Sequence, residues 1–142
     1  MKVHFREFRV KTNKGEELVD ITHEVEDSIL ESGIRDGICI VYTVHSTAGI
    51  VVNELEHGLM ADMTEHALKL YPKAAGYLHD RIDSNANAHL ASAFIGSSRI
   101  FPVRGGKLLR GIWQNIFLLE MDGPRDRKII VEILGLEEDS EK

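Results

Sequence analysis

The order of local patterns along the chain constrains its fold more than any other feature of the sequence. Residues 37–44 are apolar on both faces and rich in β-branched side chains, which is typical of a central strand. Patterns of the strand type occupy both ends of the chain, whereas apolar residues at helical spacing occupy the middle. This order predicts a single α+β domain with a mostly antiparallel or mixed β-sheet and two to three helices.

Caps, turns and periodicity set the predicted boundaries. Thr22 and Asn85 are expected to cap the first and third helices. A slip in the alternation near Arg6 and Glu7 predicts a bulge in the first strand. The predicted helices cover residues 23–32, 55–70 and 86–95, and the predicted strands cover 3–10, 37–44, 50–52, 98–103, 108–121 and 128–134. We expect the domain to span residues 1–136, followed by an acidic tail at 137–142.

The charge balance argues against a protein whose main task is to hold nucleic acid. The 142 residues include 17 Lys and Arg against 23 Asp and Glu, whereas nucleic-acid binding draws on an excess of cations. The single cysteine, Cys39, cannot form an internal disulfide, and the charged first residues do not resemble a signal peptide. No stretch approaches the ~20 apolar residues of a membrane-spanning helix. We therefore expect a cytoplasmic protein that binds neither nucleic acid nor membrane.

Three of the seven histidines lie at the predicted edges of helices or strands, beside small polar residues. These are His45, His79 and His89, and side chains at such positions can project into a cleft. His79 has Asp80 and Arg81 as neighbours, so an ordinary solvated loop is the alternative. His57 and His66 are nine residues apart on one predicted helix and point to opposite sides, so they cannot share a ligand.

The segment His45-Ser46-Thr47-Ala48-Gly49 follows the predicted central strand. Hydroxyl groups, a glycine and free backbone amides at this point are the composition of an anion-binding nest. An ordinary turn is the alternative, because Ser, Thr and Gly favour turns for conformational reasons. Further polar groups follow shortly downstream at Asn53, Glu54 and Asp62, where a helix-start carboxylate and a solvated helix face are equally compatible with the pattern.

The start of the third predicted helix carries Asn85 and His89, four residues apart and therefore on one face. The helix dipole disfavours a protonated imidazole there, and a neutral imidazole is what a metal requires. The same helix end can receive phosphate oxygens. The alternative is a plain cap at Asn85 and a buried, hydrogen-bonded histidine at His89.

Trp113 and Gln114 lie in the predicted strand 108–121, with Trp113 interpreted as a core or interface residue. Gln114 and Glu120 are six residues apart, or roughly 20 Å at the rise of a strand. One small ligand therefore cannot contact both Gln114 and Glu120 of the same chain. If both contribute to a site, two subunits must form it.

Seven short segments together resemble the YjbQ-like family, whose members are described as secondary thiamine-phosphate synthases. The resemblance covers nearly the whole chain. It departs from the family pattern at Asn87, where an acidic residue is frequent, and at Ile112, where Thr is usual. The segments are, in order, His45-Ser46-Thr47-Ala48-Gly49, Asn53-Glu54 with Asp62, Asn85-Ala86-Asn87-Ala88-His89, Gly96-Ser97-Ser98, Pro102-Val103, Gly111-Ile112-Trp113-Gln114 and Glu120.

The resemblance implies an α+β homotrimer with a histidine site between subunits and a thiamine-phosphate synthase activity on small anionic metabolites. A divalent metal is expected, with zinc favoured by three histidines and magnesium by diphosphate chemistry. The expected metal ligands are His45, His79 and His89. The expected phosphate or substrate ligands are Ser46, Thr47, Asn53 and Asn85. The expected catalytic residues are Glu54, Asp62 and Gln114. Two alternatives use the same residues: a metal-dependent hydrolase of a small phosphate or ester, and a trimeric binding module without catalysis.

Overall fold

The computed structural model describes residues 1–138 and confirms the predicted α+β class. Residues 139–142, most of the predicted acidic tail, lie outside the described residues. The elements in chain order are β1 (Lys2–Lys11), β2 (Glu17–Asp20), α1 (Thr22–Ser32), β3 (Asp36–Thr43), β4 (Ala48–Asn53), α2 (His57–Leu70), a 3₁₀ helix (Leu78–Arg81), α3 (Ala86–Ile95), β5 (Ser98–Arg104), β6 (Lys107–Leu108), β7 (Asn115–Glu120) and β8 (Asp126–Leu136).

The strands form two antiparallel sheets. The larger sheet has the order β1-β8-β3-β5-β6, and the smaller sheet has the order β2-β7-β4. The inner faces of both sheets contribute to one buried core, which includes Val41 and Val131 from the larger sheet and Ile50 and Leu118 from the smaller one. Because the smaller sheet has three strands and the larger sheet has five, the smaller one does not cover the larger one completely. Helix α1 packs Val25 and Ile29 into the same core.

Helices α2 and α3 lie on the other face of the smaller sheet. A second apolar cluster joins Ala67 of α2 and Ala88 and Ala91 of α3 to Leu119 of β7. The small alanine side chains let α3 lie close to the sheet, so polar residues at its first turn come near the strand ends. This contact positions the candidate site described below.

The bulge predicted in β1 is absent from the described strand. The strand pairs residue for residue with β8, from Lys2 opposite Gly135 to Lys11 opposite Asp126. Phe8 packs against the core, whereas Val3 and Phe5 are 56% and 55% exposed on the outer face. The slip in the apolar pattern therefore arises because β1 presents apolar residues on both faces, not because a residue is inserted.

Two further local predictions are wrong. The strand predicted over 108–121 is interrupted, since β7 begins only at Asn115 and leaves Trp113 in a turn, 66% exposed. Thr22 is the first helical residue rather than the cap of α1. Its hydroxyl donates to Asp20 Oδ1 at 2.6 Å and accepts from the backbone N–H of Ile116 at 2.8 Å, so it ties α1 to the smaller sheet.

None of the helices in residues 1–138 combines the length and the apolar character needed to cross a membrane. The longest, α2, has 14 residues and carries charged residues along its exposed side.

Candidate functional site

A buried ion pair stands at the end of both sheets. Arg127 at the start of β8 is 2% exposed and Glu120 at the end of β7 is fully buried. Arg127 Nε donates to Glu120 Oε1 at 2.9 Å, and Arg127 Nη2 donates to Glu120 Oε2 and to Thr47 Oγ1. Glu120 also accepts from the Thr12 hydroxyl at 2.8 Å and from the backbone N–H of Asp122 at 3.0 Å. The carboxylate and the guanidinium are therefore both held in fixed positions.

The surroundings of Glu120 favour its ionised form. Burial alone would raise the pKa of Glu120, but the hydrogen bonds from Arg127, Asp122 and Thr12, together with the charge of Arg127, outweigh burial and leave that pKa below its ordinary value. The pair is consequently charged at neutral pH.

His45 follows β3 and lies beside this ion pair. Its Nε2 atom accepts a hydrogen bond of 2.9 Å from the backbone N–H of Lys128, so the neutral ring carries its proton on Nδ1. Burial and the charge of Arg127 lower the pKa of His45, and Glu120 opposes them only in part. His45 is therefore a neutral hydrogen-bond donor through Nδ1.

Asn85 precedes α3 and connects two functional groups. Its Nδ2 atom donates to Asp122 Oδ2 at 2.8 Å, and its Oδ1 atom lies 3.1 Å from His79 Nε2. Asn85 occupies the N-cap position as predicted, but its side chain makes no capping bond; Asp80 Oδ1 instead accepts from the backbone N–H of Ala86 at 3.1 Å. The amide of Asn85 is thus used for the site and not for the helix end.

Asp122 is also held as a carboxylate. Burial would raise the pKa of Asp122, but hydrogen bonds from Asn85 and Arg125 and the nearby arginine charges leave it below the ordinary value. Arg125 Nη2 donates to Asp122 Oδ2 at 2.8 Å.

His79 and His89 are neighbours in space. Their ring centroids are 4.7 Å apart, with the rings at 75° to each other. His89 makes no hydrogen bond through its ring nitrogens within residues 1–138, so both nitrogens are available to a ligand. Asn85 and His89 line one cavity, as their spacing predicted.

These groups surround a cavity of about 510 Å³, here called the histidine cavity, which lies within the size range of small-molecule sites. It contains the predicted residues of the His45 loop and of α3 together with four residues that were not predicted. The lining residues are His45, Ser46, Thr47, Asn85, His89, Asp122, Arg125, Asp126 and Arg127.

Four predicted site residues lie away from the histidine cavity within the same chain. Asn53 is the last residue of β4 and Glu54 follows it, at the end opposite Thr47. Gln114 precedes β7 at that same far end, because Ala48 pairs with Glu120 and Asn53 with Asn115. The distance along β4 from Ala48 to Asn53 is about 17 Å. Asp62 lines a different cavity of about 500 Å³, between α2 and the smaller sheet.

The histidine cavity does not supply a complete metal site from one chain. Within residues 1–138, no three His, Cys, Asp or Glu side chains converge on a common position. The Nε2 atom of His45 already accepts from Lys128, which removes the ring nitrogen that carries a lone pair in this tautomer. The donor set of one chain therefore does not fit a metal held by three protein ligands.

A scan against family models matches residues 6–136 to the family described as UPF0047 protein YjbQ-like. A UPF0047 protein of Archaeoglobus fulgidus is 50% identical over 128 residues, which cover 90% of this chain and 99% of the relative. The chain belongs to the YjbQ family. The Bacillus subtilis member YugU is 37% identical over 128 residues, covering 89% of this chain and 96% of YugU.

Solved structures of YjbQ relatives have the same fold. A protein of unknown function from Sulfolobus solfataricus P2 is 52% identical with a TM-score of 0.93, covering 94% of this chain and 98% of its own. A YjbQ/UPF0047 family protein from Clostridium acetobutylicum is 38% identical with a TM-score of 0.86, covering 91% of this chain and 99% of its own. The family resemblance seen in the sequence is thereby confirmed.

Arg127 is one of the four residues lining the histidine cavity of this YjbQ family member that the sequence did not predict. A signal for it exists, because Arg127 is in phase with Ile129, Val131 and Ile133 on the buried face of β8. A charged residue in phase with a buried face requires a buried partner. The alternation of buried and exposed residues along β8 does not show which residue that partner is.

We predict that the ion pair of this YjbQ family member makes its stability pH-dependent. Because the pKa of Glu120 is lower in the folded chain than its ordinary 4.5, its contribution to the free energy of unfolding is complete above that value and is lost as pH falls below it. Glu120→Gln should lower the free energy of unfolding at neutral pH by about 3–5 kcal/mol, since Arg127 is left buried without a counter-charge. It should also flatten the fall in stability on acidification. Urea unfolding at a series of pH values measures both effects.

The matched control is Glu65→Gln on the exposed side of α2, which should retain the wild-type stability and slope. A Glu120→Gln protein with unchanged stability at neutral pH would contradict the role given to the pair.

Proposed function

We propose that the histidine cavity binds a small phosphorylated metabolite. The observation that carries this proposal is the burial and hydrogen bonding of the Arg127 guanidinium. Its guanidinium is buried and neutralised on one side by Glu120, yet its Nη1 atom makes no hydrogen bond within residues 1–138. Arg127 lines the cavity together with the hydroxyls of Ser46 and Thr47. Fixed N–H and O–H donors of this kind suit phosphate oxygens.

Two histidines support the same proposal. His45 presents Nδ1–H as a donor, and burial together with the charge of Arg127 lowers its pKa. His89 has ring nitrogens free to donate to a ligand or to accept a proton from it. Asp122 and Arg125 complete a wall that holds charge of both signs, so the cavity is suited to a ligand that is not uniformly anionic.

The reaction that we propose is transfer of the thiamine-phosphate synthase type. A thiazole phosphate nitrogen attacks the methylene carbon of a pyrimidine methyl diphosphate, a C–N bond forms, the C–O bond breaks and diphosphate leaves. The leaving group gains negative charge as the C–O bond breaks, and fixed donors such as Arg127 stabilise it at that point. Support for this substrate pair comes from the family resemblance; support for an anion comes from the cavity.

The divalent metal stays a prediction. Residues 1–138 of one chain do not bring three such ligands together, so we assign no step to a metal. Metal analysis of protein purified without chelators tests this point, and stoichiometric zinc or magnesium would show that ligands come from more than one chain or from the substrate.

We also propose that the protein acts as a cytosolic homotrimer. Predicted residues at the far end of β4 and β7 lie about 17 Å from the histidine cavity, so they contribute to it only if another subunit presents them. An outer face of the larger sheet is available for assembly, since Val3, Phe5, Ile38 and Ile100 are between 43% and 63% exposed there.

We predict that His89→Ala weakens the binding of inorganic diphosphate at least about tenfold, because it removes a ligand-facing donor. The free energy of unfolding should change by no more than about 1–2 kcal/mol, since His89 is only half-buried. Isothermal titration calorimetry and thermal unfolding measure the two quantities. His66→Ala on α2 is the matched control and should change neither. A His89→Ala protein that keeps full affinity but melts much earlier would make His89 a structural residue.

We predict that incubation with the pyrimidine diphosphate and the thiazole phosphate, with either Mg²⁺ or Zn²⁺ supplied, yields thiamine phosphate and diphosphate in equal amounts. Chromatography with mass detection identifies the products, and the His89→Ala protein should produce much less of both. Recovery of hydrolysed substrates alone would replace the transferase with a hydrolase. Binding without turnover would leave a metabolite-binding module.

We predict a particle of three chain masses by light scattering at micromolar concentration. Phe5→Glu on the outer sheet face should shift the population toward the monomer, because it places a charge in an apolar contact. Leu78→Glu is the control, since Leu78 is 73% exposed away from that sheet. A wild-type monomer would contradict a site shared between subunits.

A further inference from the structure

The histidine cavity shares a wall with a second cavity at the N-terminal end of α3. This second cavity has about 440 Å³, and we call it the amide cavity because Asn85 and Asn87 lie in its wall. Asn85 and Asp122 line both cavities. The Asn85–Asp122 hydrogen bond of 2.8 Å is therefore the partition between them.

A third cavity adjoins the histidine cavity on its other side. It has about 320 Å³, and we call it the hydroxyl cavity because Tyr42, Ser92 and Ser97 lie in its wall. His45 and Ser46 line both it and the histidine cavity.

The three cavities follow α3 from one end to the other. Asn85 and Asn87 face the amide cavity, His89 faces the histidine cavity, and Ser92 and Ala93 face the hydroxyl cavity. The ten residues of α3 extend about 15 Å. A ligand that contacts all three compartments must therefore be extended, whereas a single phosphate group occupies only one of them.

The two outer compartments differ in charge. The amide cavity is lined by the carboxylates of Glu16, Asp80 and Asp122. Lys73 Nζ lies 3.1 Å from Glu16 Oε1, and Arg125 Nη2 lies 2.8 Å from Asp122 Oδ2. Each of these carboxylates already accepts a hydrogen bond, but a carboxylate has about four acceptor positions, and the remaining ones suit an organic group that carries amino or ring N–H donors. Among the described residues that line the hydroxyl cavity there is no Asp, Glu, Lys or Arg, and an aromatic ring and several hydroxyls are present. This composition suits an uncharged group such as a ring or a sugar.

We propose that these compartments together bind one extended ligand, a diphosphate diester. Its diphosphate lies in the histidine cavity, an amino-bearing group lies in the amide cavity, and an uncharged ring or sugar lies in the hydroxyl cavity. This inference rests on the proposed anion site and adds two subsites to it; it does not rest on the proposed transferase reaction, whose diphosphate substrate is a monoester. It assigns Asn85, Asp122, His45 and Ser46 to the two junctions between subsites.

Bulky substitutions at exposed small residues test each outer subsite without removing a binding group. Ser84→Trp fills the amide cavity and Ala93→Trp fills the hydroxyl cavity, and both positions are exposed, so the fold tolerates the added volume. Ala61→Trp is the control, because Ala61 is exposed on α2 and lines none of the three cavities.

The probes are inorganic diphosphate, ADP and diadenosine diphosphate, titrated calorimetrically into the full chain. We expect diadenosine diphosphate to bind at least about tenfold more tightly than inorganic diphosphate. Ser84→Trp and Ala93→Trp should each remove about tenfold of the diester affinity and leave diphosphate binding within about twofold, and Ala61→Trp should alter neither.

The outcomes separate this inference from the proposed function. Absence of diphosphate binding to the wild-type protein overturns both. Diphosphate binding with no gain for the diester, or binding of two ADP molecules per chain in place of one diester, overturns the single extended ligand and leaves the anion site standing. A diester affinity that neither tryptophan variant lowers overturns the two outer subsites.

Discussion

The buried pair of Arg127 and Glu120 is the interaction on which the rest of the site depends. Glu120 belongs to the smaller sheet and Arg127 to the larger one, so the pair joins the two sheets at one end. Removing both charges from water costs several kcal/mol for each ion, and the cost is offset only where additional hydrogen bonds satisfy the remaining atoms. Thr12, Thr47 and the backbone of Asp122 supply those bonds. The termini of four strands are thereby held near one point.

This arrangement is compatible with the proposed anion site in a chain whose net charge is -6. A local excess of arginine is not required, because the guanidinium of Arg127 is oriented by Glu120 and still offers Nη1 to a ligand. The neutral state of His45 follows from the same pair, since burial and the charge of Arg127 lower its pKa. Asn85 extends the network to Asp122 and to His79, so α3 is tied to the strand ends through side chains as well as through apolar packing. The charge of the ion pair, the tautomer of His45 and the position of α3 therefore depend on one connected group of residues.

The sequence predicted the fold class and named five of the nine residues that line the histidine cavity. His45, Ser46, Thr47, Asn85 and His89 were identified because they follow a buried strand or begin a helix, and both features are local. Arg127 was missed because its position in the cavity depends on Glu120, and Asp122 was missed because it lies between two predicted strands, where the local pattern gives it no distinct role. Asn53, Glu54 and Gln114 were grouped with the histidines by resemblance, whereas the pairing of β4 with β7 sets them at the far end of the ladder in this chain. The wrong bulge in β1 has a related cause, since the exposure of Val3 and Phe5 depends on what covers the outer face.

The sequence by itself determined the helices and strands of the core, the α+β class and the family, because these follow from residue type, spacing and motif order along the chain. Only the tertiary structure decided which of the polar residues meet, which nitrogen of His45 carries the proton and how the cavities along α3 adjoin. Those properties depend on strand register and on the distance between atoms far apart in sequence. A shift of one residue in the register turns each side chain to the opposite face, and neither composition nor periodicity specifies that register across two sheets.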